Sequence, residues 1–155
     1  MKLSSQHITG ENFLKFGKVV TFPEGSPTSE AKDYKFWSDI ASYHIDGDTE
    51  IGICTVFRQP ESEINGMERH LDTPEVLIPI DAPFTLPLLL EGDKEEDAKA
   101  FQVNVGEAVV INSGVWHGAC LPFKVEKSSY FVIFRRRTPY EDVEKKDIRT
   151  LEITE

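Results

Sequence analysis

From Lys18 onward the chain is written in short runs rich in β-branched and aromatic residues, interrupted at close intervals by Gly, Pro, Asp and Asn. That pattern predicts strands separated by turns. Strands are expected near Val19 to Phe22, Tyr34 to Trp37, Ile40 to His44, Glu50 to Phe57, Gly66 to His70, Glu75 to Ile80 and Phe84 to Leu90. More follow near Ala100 to Val105, Ala108 to Ile111, Val115 to Leu121 and Ser129 to Arg135, with a last extended stretch near Ile148 to Ile153. Ahead of them, Thr9 to Phe16 has a cap-like Thr, spaced Phe13, Leu14 and Phe16, and Gly17 as a stop, which predicts a short helix covering one end of the fold. After Pro139 the polar segment Tyr140 to Lys146 reads as a single helical turn. Prolines 60, 79, 83, 87 and 122 suit edges and turns better than central strand positions. So many short strands predict an all-β sandwich or barrel whose interior is the natural cavity. No repeat, low-complexity tract or linker divides the chain, so residues 1–155 are read as one domain.

Charge and composition narrow the partners. A formal net charge of -10 repels phosphate backbones, and the one basic cluster, Arg135-Arg136-Arg137, reads as the polar end of a strand; nucleic acid is excluded as a partner. No apolar run approaches the roughly 18 residues that span a bilayer, which excludes a membrane protein. The start of the chain lacks a secretory pattern and two cysteines make no disulfide framework, so a cytoplasmic location is expected. The acidic stretch from Glu91 to Asp97 reads as a solvated loop between two strands.

Candidate chemistry lies in two segments about forty residues apart. In a strand alternate side chains share a face, so Glu68 and His70 point together while Arg69 points away. A turn at Asp72-Thr73-Pro74 lets Glu75, which opens the apolar run Val76-Leu77-Ile78, return a second carboxylate to the same space. In the other segment Asn112-Ser113-Gly114 forms a tight turn, and Trp116-His117 begins a strand in which His117 faces inward. Two carboxylates and two imidazoles around one hollow suit a divalent metal, or a division between metal binding and acid/base work; such mixed N and O ligation suits Mn, Fe, Ni or Zn. His7 and His44 read as ordinary strand histidines, and Cys54 as a small apolar filler. Cys120, three residues after His117, would face the opposite side of a continuous strand. Trp37 and Trp116 read as core or interface, with Arg69, Trp116 and Arg135 the candidates for touching a substrate.

These residues resemble the cupin family, in which His-x-His followed by Glu, and a later Gly, Pro, Gly and His, bind a divalent metal. Here Glu68 stands for the first histidine, His70 is the second, Glu75 is the glutamate and Ala82 replaces a closing glycine; Gly106, Asn112 in the proline position, Gly114 and His117 follow. The stretch Met67-Glu68-Arg69-His70 through Glu75-Val76-Leu77-Ile78-Pro79, with Val115-Trp116-His117 downstream, is similar to the ureidoglycolate lyase family, itself cupin-folded. The chain departs from that family at Gly118, where members continue Trp-His-His, at Asn112, where members often have His, and at Phe134, where an Asp precedes the Arg. The resemblance implies a cupin-type double-stranded β-helix (a jelly-roll barrel), and cleavage of ureidoglycolate to glyoxylate and urea in purine and allantoin catabolism. It implies Glu68, His70, Glu75 and His117 as metal ligands, with Glu68, His70 and His117 in catalysis. It leans towards nickel and towards a homodimer acting on a small carboxylate substrate. The rival readings are a cupin isomerase or epimerase of sugar acids, and a non-catalytic barrel in which Asn112, Gly118 and Phe134 mark lost activity.

Overall fold

The computed structural model describes residues 1–155. Fourteen strands are formed: β1 (Lys2–His7), β2 (Gly17–Val20), β3 (Ser29–Ala31), β4 (Tyr34–Phe36), β5 (Thr49–Phe57), β6 (Glu63–Arg69), β7 (Glu75–Pro79), β8 (Phe84–Leu89), β9 (Lys99–Val103), β10 (Ala108–Ile111), β11 (Trp116–His117), β12 (Leu121–Pro122), β13 (Lys127–Arg135) and β14 (Glu144–Thr154). One seven-stranded sheet runs β11-β6-β14-β1-β9-β8-β12, and β11 also pairs with β8, which closes that sheet upon itself. A five-stranded sheet runs β2-β10-β7-β13-β5, and β3 and β4 form a separate exposed hairpin. The fold is an all-β cupin-type barrel, as expected.

Two hydrophobic clusters lie on opposite faces of the seven-stranded sheet. One gathers Phe13, Phe16, Leu77, Phe84, Leu86, Leu88, Phe101, Val109 and Ile111 between the two sheets; the other gathers Ile64, Met67, Leu89, Trp116, Ile148 and Leu151. Strand β8 serves both, which explains why all six of its residues are buried and why its sequence is nearly continuously apolar. Each fully buried Leu or Phe contributes about 1.5–3 kcal/mol relative to exposure.

Several expectations are corrected. Thr9 to Phe16 is a chain of turns, not a helix. Thr9 and Asn12 bond each other's backbone N–H through their side chains, and the N–H groups of Phe13 and Gly17 reach back four residues, to Thr9 and Phe13, without a continuous ladder between. The segment still plugs the barrel end, because Phe13 and Phe16 stack near Phe101 at centroid distances of 5.3 and 5.6 Å. The one α-helical turn is α1 (Thr138–Glu141), earlier than expected because Pro139 presets the first turn. Ile40 to His44 is irregular and mostly exposed, pairs with no strand, and follows Asp39 at a left-handed φ of 54°. Strand β1 escaped the sequence reading because only parallel pairing with β14 and β9, distant in sequence, makes it a strand.

The stretch expected as one strand over Val115 to Leu121 is broken into β11 and β12, and Pro87 explains the break. It lies mid-strand in β8, opposite the gap between β11 and β12, where its carbonyl accepts from the Gly118 N–H. N–H and C=O of one strand residue point the same way, so the donor that proline lacks faces this gap rather than a ladder.

Candidate active site

The antiparallel pairing of β11 with β6 sets His117 directly across from Glu68, and directly opposed residues project to the same face. Alternation along β6 puts Glu68 and then His70 on that face, and β7 brings Glu75 to it from the other sheet. All four groups line one cavity of about 930 Å³, which Leu77, Tyr130, Val132, Phe134 and Val143 line as well. The structure thus brings together every residue expected to hold a metal.

The contacts are close. One carboxylate oxygen of Glu75, Oε2, lies 3.1 Å from His70 Nε2 and 3.1 Å from His117 Nε2. Glu68, His70 and His117 each present a donor atom within 4.8 Å of the others. His70, Glu75 and His117 are buried and Glu68 is half-buried at the open side. Beyond these mutual contacts, His70 Nε2, His117 Nε2 and Glu75 Oε2 have no other polar partner. Buried polar atoms left this way are uncommon and call for a proton or a cation among them.

Second contacts fix the ring of His70. Its Nδ1–H donates to the Asp142 carbonyl at 2.7 Å, which leaves Nε2 as the free lone pair facing the cavity. Asp142 also ties down the turn after β6, its carboxylate accepting from the N–H groups of Leu71 and Asp72 at 2.9 Å each. The Phe134 ring packs edge-on 5.6 Å from His70. Sequence reasoning missed Asp142, since nothing in its local pattern tells that a residue after the helical turn reaches back to the end of β6.

Electrostatics follow from this burial. Burial by itself would raise the Glu75 carboxyl, but the charges of His117 and His70 outweigh it and hold the carboxyl at about 2. Burial would lower His70, yet contact with Glu75, then its charge, and the Asp142 carbonyl leave it raised above 6.5. For His117 burial is again opposed and outweighed, here first by the charge of Glu75. Without a metal the cluster is a carboxylate sharing protons with two imidazoles; with one, the same lone pairs are its ligands.

The structure does not bring Arg69, Trp116 and Arg135, expected to touch a substrate, into this cavity. Arg69 alternates to the other face of β6, where it bonds Glu91 and Glu144 at 2.7 Å each and lies 4.5 Å above the Trp116 ring. The Trp116 indole N–H donates to Glu91 at 2.6 Å. Glu91, from the acidic loop read as merely solvated, therefore pins both. Arg135 closes β13 at the sheet's end, its backbone N–H bonded to Thr73 Oγ1. Cys120 moves the opposite way: the break between β11 and β12 resets the alternation and turns it into the cavity beside Tyr130 and Cys54. Burial pushes its thiol well up, so it remains protonated and unreactive.

A sequence model of the ureidoglycolate lyase family matches residues 1–153. The chain belongs to the ureidoglycolate lyase family. No curated protein sequence matches it. Among solved structures, a dTDP sugar isomerase from Desulfovibrio desulfuricans G20 is similar at 13% identity and TM-score 0.52, covering 84% of this chain and 82% of that one, which supports the fold alone. A 3,4-ketoisomerase from Thermoanaerobacterium thermosaccharolyticum gives 15% identity, TM-score 0.48 and 83% of each chain. Oxalate decarboxylase of Bacillus subtilis gives 15% identity and TM-score 0.44 over 56% of this chain, which spans only 21% of that longer one.

Within the ureidoglycolate lyase family this member's departures have different weights. Asn112 is exposed and outside the cavity. At Gly118 a Cβ would come 2.9 Å from Ile64 Cδ1 and 3.4 Å from Pro87, so a side chain there would press into the packed face. Gly118 and Phe134 both line the cavity, and Phe134 gives it an apolar wall beside His70.

Proposed function

We propose that this protein is a carbon–nitrogen lyase that cleaves ureidoglycolate to glyoxylate and urea. The observation that carries the reading is the convergence of His70 Nε2, His117 Nε2 and Glu75 Oε2, with no polar partner but one another, inside a barrel of this family. This donor set fits a divalent cation, which His70, Glu75 and His117 would hold with Glu68 beside them; nickel is our choice, with Mn, Fe and Zn using the same N and O donors. When bound, such a cation supplies Lewis acidity at the substrate's hydroxyl oxygen.

The residues do the rest. Glu68 faces the same space but keeps access to solvent, and it takes the hydroxyl proton as the carbonyl of glyoxylate forms. The electrons of the breaking C–N bond go to the urea nitrogen, and the proton held on Glu68 passes to it, so one carboxyl acts as base and then acid. Asp142 keeps His70 in one tautomer throughout. The apolar wall of Leu77, Val132 and Phe134 limits water around the breaking bond. Release of urea or glyoxylate above spontaneous decay, compared for wild type and His117→Ala, tests this: activity is expected in the first and absent in the second, and equal rates overturn it.

The reading carries a cytoplasmic role in allantoin nitrogen catabolism, with which two free thiols agree. It also carries a homodimer. Edge strand β5 leaves Ile51, Ile53 and Phe57 63–68% exposed, with Phe131 of β13 beside them, an apolar face with open backbone groups that suits a second copy. Sedimentation of wild type and Ile53→Glu checks this: a dimer that becomes a monomer supports it, and a monomeric wild type refutes it.

A further inference from the structure

We propose that Lys145 anchors the substrate's carboxylate and so makes the site select an anion; the inference rests on the lyase reading above. In the pairing of β14 with β6, Lys145 lies directly across from Glu68 and Lys146 across from Met67. Opposed residues in an antiparallel pair share a face, with Cα atoms about 4.5–5.5 Å apart. Lys145 therefore stands over the cavity mouth on the same face as Glu68, while Lys146 goes to the other.

The remaining cations are committed elsewhere. The Lys146 ammonium lies 4.4 Å over the Trp116 ring and Arg69 is held by Glu91 and Glu144. His70 and His117 are engaged with Glu75. Lys145 is exposed and forms no ion pair, neither with Glu68 across from it nor with Asp147 two residues along the same strand face. Among the residues lining the cavity it is the one uncommitted cation, and the apolar side of the lining offers an anion no side-chain donor beyond the Tyr130 hydroxyl and the thiols. A carboxylate oriented towards Lys145 sets its α-carbon over Glu68 and leaves the uncharged ureido end for the rest of the cavity. As an ammonium on a flexible stem, Lys145 attracts any carboxylate, and so contributes to ground state and transition state alike.

The test uses Lys145→Met and Lys145→Arg in the full chain. The first reading is binding of glyoxylate by calorimetry with metal chelated, the second is steady-state turnover of ureidoglycolate by the metal-loaded enzyme. Lys145→Met is expected to weaken glyoxylate binding and raise KM by about 10- to 100-fold, with kcat within about 3-fold, as loss of uniform binding requires. Lys145→Arg is expected to stay within about 5-fold of wild type, since charge is kept. Unchanged binding and KM in Lys145→Met, or a kcat loss with KM unchanged, overturns the proposal, as does a wild type that binds no glyoxylate. If wild type binds glyoxylate through Lys145 but does not turn over ureidoglycolate, the lyase reading fails and the anchor stands.

Discussion

Replacing Glu75 with Gln keeps the shape of the cluster and removes its buried charge. Glu75, held at about 2 against an ordinary 4.5, contributes stability that is present above 4.5 and lost as pH falls through about 2. His70 and His117, raised above 6.5, contribute stability that is fully present below 6.5 and lost as pH rises through their folded values. All three contributions are in place together between 4.5 and 6.5. At about 1.4 kcal/mol per pH unit, the depression of Glu75 corresponds to about 3 kcal/mol. In chelator-treated protein at pH 5.5, Glu75→Gln should therefore cost about 3 kcal/mol. As pH rises through the folded values of His70 and His117 the imidazoles lose their charge, the wild-type carboxylate becomes an uncompensated buried charge, and the cost of its replacement should fall. Urea unfolding of both proteins at pH 5.5 and at successive higher pH values measures this difference of differences, in which other titrating groups cancel. A cost that does not fall as pH rises above 5.5 would refute the charge-sharing argument.

Metal occupancy, read by elemental analysis after loading with nickel, should fall more in Glu75→Gln than in Glu68→Gln, because Glu75 is the buried carboxylate in contact with both imidazoles; the reverse order would exchange the two roles. Arg69→Met should lower stability by about 1–2 kcal/mol through loss of its stacking on Trp116 and its partly exposed ion pairs, and leave KM unchanged; a raised KM would return Arg69 to the substrate site. Gly17→Ala should cost about 3 kcal/mol or more, since its Cβ would fall 1.8 Å from the Val110 carbonyl oxygen and force β2 away from β10; a thermal midpoint near wild type would mean that pairing is slack.

The order of short apolar runs and turn residues determined that this chain is all-β and roughly where its strands lie, since alternation and turn chemistry are local properties that side chains carry wherever they are placed. The same period of two settled that Glu68 and His70 share a face and Arg69 does not. What was not local was not legible. Lys2–His7 becomes a strand only because β14 and β9 flank it, and Thr9 to Phe16 gives up a helix for side-chain bonds that fit Phe13 and Phe16 into the barrel. The face that Cys120 takes was decided by a gap opposite Pro87, far along the chain, and the ring orientation of His70 by the carbonyl of Asp142. Sequence names the groups able to bind a cation or move a proton. Only the closure of one sheet against another brings Glu75 within 3.1 Å of both imidazoles, because that distance is fixed by strand pairing between segments that have no contact until the barrel forms.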